Sequence, residues 1–152
     1  MYDTSKDRTY SRLYSGHPKI IEVGCDDVGS AGHPQRNYGM DMVDDGFIYF
    51  LDDDNIIHPN FWSIVDQLNS KYFYTFDQQR TATTILHGND VRLCRIDTAM
   101  FIVHKKHVKH IKWITDRYDA DGFFISHIHS YNYGAHIYVN KIGCYYNFIR
   151  PT

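Results

Sequence analysis

Short apolar runs separated by polar stretches predict a series of strands along the chain. Residues 47–51 form an unbroken apolar run, which is typical of a strand covered on both faces. Residues 72–76 and 99–103 also read as strands. Shorter runs predict further strands at residues 19–24, 138–139 and 145–149.

Helix signals lie between these strands. Pro34 can open a helix that runs to about Val43, because proline is tolerated in the first turn of a helix. A second helix is predicted after Pro59, with apolar residues at helical spacing. Residues 122–128 predict a helix or a buried turn. Strands that alternate with helices predict an α/β sandwich with a mainly parallel central sheet.

Length and composition narrow the class of protein. The 152 residues suit a single domain over residues 1–152, since domains commonly hold about 100–200 residues. The formal net charge is −2 and no block of Lys or Arg stands apart, which disfavours nucleic acid as a partner. The aromatic content of 16%, led by 13 Tyr, is high, and aromatic rings suit both core packing and sugar stacking.

Cysteine use and hydropathy bear on the compartment. The 3 cysteines have no short spacing, so neither a disulfide framework nor a Cys-rich zinc site is indicated. No apolar run reaches the roughly 20 residues of a membrane span, and the polar first residues do not resemble a signal peptide. We therefore expect a soluble, cytoplasmic protein with no membrane span.

Three consecutive carboxylates, Asp52, Asp53 and Asp54, follow the run at residues 47–51. Such a triplet repels itself unless a positive charge sits nearby. Ligands of open α/β sheets bind beyond the carboxyl ends of strands, and oxygen-only donors suit Mg²⁺ or Mn²⁺. A solvated acidic turn is the competing interpretation, because Asp and Asn are common turn residues.

The segment GHPQRN, followed by a helix and then by GFIYFLDDDN, resembles glycosyltransferases of the GT-A fold. The likeness is to the β-glucuronyltransferases and to the family-2 inverting transferases. Residues 2–9 are similar to an Asp-rich loop of family-2 enzymes, residues 95–101 to the segment before the acceptor-side strand, and residues 118–124 to the region of the catalytic base.

The resemblance implies a Rossmann-like nucleotide-diphospho-sugar fold and an inverting transfer of a sugar, a hexosyl or glycuronosyl group, from a UDP-sugar to a carbohydrate or glycan acceptor. It implies that Asp54, with Asp52, ligates Mn²⁺ or Mg²⁺. It also implies that Asp52 and Asp53 bind the ribose, the donor sugar or the waters of the metal. Asp3 would bind the uracil and Arg36 the nucleotide. Asp97 would bind the donor sugar or the acceptor. For Arg36 alone, a surface ion pair is the competing interpretation, and for Asp97 a turn residue.

Asp121 is the predicted general base, since an inverting transferase must remove a proton from the acceptor hydroxyl as it attacks C1. Asp119 and Asp116 are competitors for this role, and an N-cap of the following helix is the alternative role for Asp121.

The 10 histidines do not match a strong zinc signature. His104, His107 and His110 are predicted on a solvated helix face. His127, His129 or His136 could instead help to hold metal or diphosphate, as a late histidine sometimes does in GT-A domains.

Family-2 chains usually begin with one more strand than is predicted here. The sequence therefore suggests a rearranged fold, a fold completed by another chain, or a fragment, and exposed sheet edges favour a homo-oligomer. Two other functions compete with a transferase: a truncated module that binds nucleotide and metal without turnover, and a metal-dependent phosphate-ester hydrolase.

Overall fold

The computed structural model describes residues 18–21 and 29–147, and the strand positions 2–3 and 23–24. The strands are β1 (Tyr2–Asp3), β2 (Val23–Gly24), β3 (Phe47–Tyr49), β4 (Ile56–Ile57), β5 (Phe73–Gln79), β6 (Ile85–Leu86), β7 (Phe101–His104) and β8 (His136–Tyr145). The α-helices are α1 (His33–Asp41), α2 (Phe61–Val65) and α3 (Ala120–Tyr131), and 3₁₀ helices cover Ser30–Gly32, Thr98–Met100 and Lys105–His107.

Six of these strands form one mixed sheet, in the order β3-β7-β5-β8-β4, with β6 paired to the end of β5. β7 runs antiparallel to both β3 and β5, whereas β5 and β8 are parallel. The predicted mainly parallel sheet is therefore wrong. β1 and β2 pair with each other in a separate parallel ladder.

The position of β7 explains this difference. β3, β5 and β8 do run in the same direction, as the alternation of strands and helices predicts. β7, however, follows β5 through a hairpin to β6 and a loop, with no crossover α-helix, and enters the sheet between β3 and β5 in the opposite direction. The start of β7 thus lies at the same end of the sheet as the carboxyl ends of β3, β5 and β8.

Two apolar layers cover the sheet. The larger cluster joins Met40 of α1, Phe101 of β7 and Phe124 of α3 around Trp113. The smaller cluster packs Phe61 and Ile64 of α2 on Phe76 and Ile102. The sheet is therefore covered on both faces, as the apolar runs predict.

The helix predictions at α1 and α3 are confirmed, whereas the late strands differ from their predicted form. α1 begins at His33 with Pro34 in its first turn and ends near the expected residue, and residues 122–128 lie within the full helix α3. The two late strands are one long strand, β8, as far as residue 145.

No helix in the described part of the chain combines the length and the apolar character needed to cross a membrane.

The expectation that His104, His107 and His110 share a solvated helix face is wrong. His104 ends β7 and His107 lies in the 3₁₀ helix that follows, and both are buried. Only His110 of the three is exposed. The spacing of three residues suggested a helix, but the only helical turn here is the 3₁₀ helix Lys105–His107, which contains one of the three histidines.

Candidate active site

The acidic triplet forms a tight turn directly after β3. The backbone N–H of Asn55 donates to the carbonyl of Asp52 at 3.1 Å, which closes the turn. The buried side chain of Asn55 accepts from the backbone N–H of Asn147 at 3.0 Å, just after β8. The turn is therefore tied to the end of β8, and Asp52 and Asp54 lie partly buried at the carboxyl end of the parallel strands while Asp53 is exposed.

Arg36 of α1 makes an ion pair with Asp52. Its guanidinium also donates to the carbonyl of Ala31 at 2.6 Å and to Nδ1 of His33 at 2.7 Å. Because an arginine can only donate, His33 Nδ1 accepts, which requires a neutral imidazole on that side. Burial, reinforced by the charge of Arg36, lowers the pKa of His33 to about 4, in agreement with that role.

The pKa of the Asp52 carboxyl is raised overall, although two kinds of effect oppose each other. Burial raises the pKa of its carboxyl, the Arg36 guanidinium acts in the opposite direction, and the negative charges of Asp97 and Asp54 raise it again. These carboxylates are therefore close enough to repel one another. Arg36 alone does not bring the Asp52 carboxyl back to its ordinary pKa.

Trp113 packs against both the guanidinium of Arg36 and the ring of His33. The guanidinium carbon of Arg36 lies 4.9 Å from the centre of the Trp113 ring, and His33 stacks on the same residue at 5.3 Å. Asn37 fixes the backbone of Trp113 with two hydrogen bonds, accepting from its N–H at 2.8 Å and donating to its carbonyl at 3.0 Å. The HPQRN segment thus builds the platform on which Asp52 is held.

Asp97 stands at the start of the 3₁₀ helix before β7. Its carboxylate accepts from the backbone N–H of Ala99 at 3.4 Å, from Gln78 Nε2 at 3.2 Å and from Arg80 Nη2 at 3.0 Å. Arg80, at the end of β5, lies over the ring of Tyr146 at 4.2 Å. Asp97 is therefore both a turn residue and one half of a partly buried ion pair.

Asp121 lies in the first turn of α3 and is partly buried. The N-cap position belongs to Asp119, so the alternative role of Asp121 as an N-cap is wrong. Burial raises the pKa of Asp121 to about 6; the N–H of Gly122, which donates to its carboxylate at 2.7 Å, acts in the opposite direction, and the charge of Asp97 adds to the rise.

The structure thus brings Asp52, Asp54, Asp97 and Asp121 to one end of the sheet, where each feels the charge of at least one other. Asp119 and Asp116, the other candidates for the general base, lie in different surroundings from Asp121. Asp119 is held by Arg117 through two hydrogen bonds of 2.9 Å, which lower its pKa, and Asp116 is exposed. The side chain of Asp3 lies outside the described residues.

The late histidines lie away from this end. His136 begins β8 opposite Phe73, which begins β5, and the two rings stack at 5.0 Å. His129, near the end of α3, packs against His136 at 5.6 Å. Since β3, β5 and β8 run in the same direction, these histidines lie at the opposite end of the sheet from the acidic turn, and neither can share a ligand with Asp54.

Sequence reasoning missed three residues of this end of the sheet: Arg80, Trp113 and Tyr146. None lies near the acidic triplet in sequence. An Arg directly after a strand was the one signal that could have pointed to Arg80, since polar residues at carboxyl ends of strands face the ligand cleft of such folds.

The fold resembles that of a known enzyme. The crystal structure of S. aureus TarS residues 1–349, a family-2 glycosyltransferase, superposes with a TM-score of 0.72 at 12% sequence identity. The match covers 96% of this chain and 50% of the TarS chain, so this chain spans half of that structure's length. No protein-family model and no curated protein matches the sequence. The likeness is therefore one of fold.

Proposed function

We propose that this chain is a glycosyltransferase domain that moves a sugar from a UDP-sugar donor to a hydroxyl of a carbohydrate acceptor, with inversion at C1 and Asp121 as general base. The observation that carries the proposal is the setting of Asp121. It is a partly buried carboxyl with a pKa of about 6, at the carboxyl end of the parallel strands and near Asp97 and Arg36. The fold shared with TarS supports the same class of reaction.

A general base needs to be ionised at working pH and yet to bind a proton readily. A carboxyl with a pKa of about 6 meets both conditions near neutral pH and is a better proton acceptor than an exposed Asp. In the proposed step, the acceptor O–H proton passes to Asp121 as the oxygen bonds to C1. The bond from C1 to the diphosphate oxygen breaks, and its electron pair leaves with UDP.

The donor would lie between the acidic turn and Asp97. Asp53 is exposed and free to reach the ribose or the sugar, and Asp97 would face the sugar, aligned by Arg80. Arg36 enters the proposal in a changed role. Its guanidinium already contacts Asp52, Ala31 and His33, so it would hold Asp52 in place as well as add positive charge near the diphosphate.

The donor set of this turn fits Mn²⁺ or Mg²⁺. Its side-chain groups are carboxylate oxygens. Burial is the largest cause of the raised pKa of Asp52, and the negative charges of Asp97 and Asp54 add to the rise; a divalent cation would offset these charges. Among the described residues no cluster of three or more His, Cys, Asp or Glu could hold a metal by itself. Mg²⁺ commonly uses one or two carboxylates and completes its coordination with phosphates and water. Asp54, with Asp52, would hold the ion, which would neutralise charge on the leaving diphosphate.

Melting temperature tests the donor site without requiring an acceptor. If Asp54 binds a cation that UDP completes, UDP and Mn²⁺ together should raise the melting temperature more than the sum of their separate effects. Ligand at about a hundred times its dissociation constant adds roughly 2.7 kcal/mol of stability.

Asp54→Asn should remove most of the joint shift, whereas Asp116→Asn, at an exposed Asp that we do not place at the donor, should keep it. An equal UDP shift in excess EDTA, or a full joint shift in Asp54→Asn, would contradict the metal-bridged site.

A further inference from the structure

A pocket lies at the opposite end of the sheet from the acidic turn. Its volume is about 270 Å³, enough for one small molecule. The pocket is bounded by the turn after β7, which contributes Lys106, Lys109 and His110, and by the end of α3, which contributes Tyr131 and Asn132. Because β7 ends where β5 begins, this pocket and the acidic turn are on opposite ends of the sheet.

The charged side chains that line this pocket are all basic. Its lining contains no Asp or Glu, although the whole chain has a net charge of −2. The flanking lysines have structural partners: Lys105 donates to the carbonyl of Met40, and Lys112 pairs with Asp41. Lys106 and Lys109 are exposed, and neither ammonium forms an ion pair within the described part of the chain. Two cations are thus left to face the pocket.

The pocket floor is formed by a histidine whose ring is fixed by two polar contacts. His107 is buried, and its Nδ1 lies 2.8 Å from Asn132 Oδ1 while its Nε2 lies 3.0 Å from the carbonyl of Ser70. The amide nitrogen of Asn132 donates to two carbonyls, those of Ile128 and His107, which fixes its oxygen toward the ring. Both ring nitrogens of His107 therefore face oxygen acceptors, which fix the orientation of the ring in the pocket floor.

Tyr131 gives the pocket an aromatic wall. Tyr131 is 80% exposed, so its ring is open to a ligand in the pocket. An aromatic face beside a cationic pocket combines the two contacts that bind a charged sugar: ring stacking and charge-assisted hydrogen bonds. At the end of α3, Asn132 caps the carbonyl of Ile128 through both its backbone and side-chain N–H groups.

We propose that this pocket binds a sugar bearing a phosphate or carboxylate group, with the anion between Lys106 and Lys109 and the sugar ring against Tyr131. The site is separate from the acidic turn, and the proposal does not depend on the proposed transferase activity. In a longer carbohydrate, the same contacts would hold a charged unit remote from the reacting end.

Isothermal titration and ¹⁵N NMR of the full chain test this site with three probes: glucose 6-phosphate, glucuronate and uncharged glucose. The two charged sugars should bind and should shift the amide signals of residues 106–111 and 131–132, and glucose should not. Lys106→Gln/Lys109→Gln should weaken binding of the charged sugars roughly tenfold or more, because charge-assisted hydrogen bonds are lost. The matched control Lys19→Gln/Lys141→Gln makes the same change of net charge outside the pocket and should leave binding unchanged.

Inorganic phosphate separates the ring contact from the charge. Tyr131→Ala should weaken the binding of glucose 6-phosphate and leave the binding of inorganic phosphate unchanged. Equal weakening by both double variants, or no binding of either charged sugar, would overturn the site. Phosphate binding as tightly as glucose 6-phosphate, with no effect of Tyr131→Ala, would overturn the assignment of a sugar ligand.

Discussion

Arg36 of α1 and Asp52 after β3 form an ion pair that joins the GHPQRN segment to the acidic turn at the end of GFIYFLDDDN. The Arg36 side chain is 12% exposed and that of Asp52 34%, so the pair is only partly shielded from water. Trp113 and His33 fix the guanidinium from the protein side. The pair therefore sets where the acidic turn can lie relative to α1.

Removal of Arg36 should destabilise the protein and leave Asp52 without its cation. The loss for Arg36→Ala should be about 1–3 kcal/mol, between values for exposed and buried pairs. Urea unfolding at neutral pH measures it. Arg92→Ala is the matched control, because Arg92 pairs with Asp90 on the open surface and its loss should scarcely change stability. A loss no larger than that of the control would mean that the Arg36 pair does not shape the site.

Asn37→Ala should remove both hydrogen bonds to the backbone of Trp113 and loosen the platform under Arg36. The expected loss is about 2–4 kcal/mol, since a backbone N–H and a carbonyl near the core lose their partners. The fluorescence of Trp113 in the folded state should also change, measured in a Trp62→Phe background. Asn89→Ala, at an exposed loop position, serves as the control and should change neither.

Asp121→Asn should make the protein more stable at high pH. The folded-state pKa of about 6 lies above the ordinary Asp pKa of 3.8, so folding favours the protonated carboxyl. Stability from this group is thus full below about pH 4 and is lost as pH rises through about 6. The neutral Asn avoids that loss, and the gain at pH 8 should be at most about 3 kcal/mol.

Thermal unfolding of Asp121→Asn and the parent chain from about pH 4 to pH 8 measures this difference. The two melting temperatures should converge at the acidic end. Asp119→Asn should instead lower the stability at high pH relative to the parent chain, because the Arg117 contact lowers the pKa of Asp119. A gain that is independent of pH would mean that the Asp121 carboxyl is not perturbed by burial.

Local patterns predict part of this structure well. The apolar run before Asp52 does end in a turn at the edge of the sheet, and Pro34 lies in the first turn of α1, because both follow from neighbouring residues. The place of β7 between β3 and β5 depends on pairing between residues some 50 positions apart, as Ile48 with Val103 illustrates. No local pattern contains that information.

The candidate site shows the same division. The acidic residues were predicted from short motifs, whereas their partners come from elsewhere in the chain: Arg80 for Asp97 and Trp113 for Arg36. His107 was misassigned to a solvated face because its acceptors, Ser70 and Asn132, are distant in sequence. A polar side chain is buried when the fold supplies hydrogen-bond partners, and a sequence pattern does not show those partners.

The most direct test of the central claim is transfer itself. Wild-type chain and Asp121→Asn are incubated with Mn²⁺, UDP-sugars and a panel of saccharide acceptors, and products are identified by mass spectrometry, with and without acceptor. The wild type should form an acceptor carrying one added sugar. Asp121→Asn should form none, yet should keep the joint melting shift with UDP and Mn²⁺, and Asp119→Asn should remain active. Transfer by Asp121→Asn at the wild-type rate, or release of free sugar with no acceptor product from the wild type, would contradict the account.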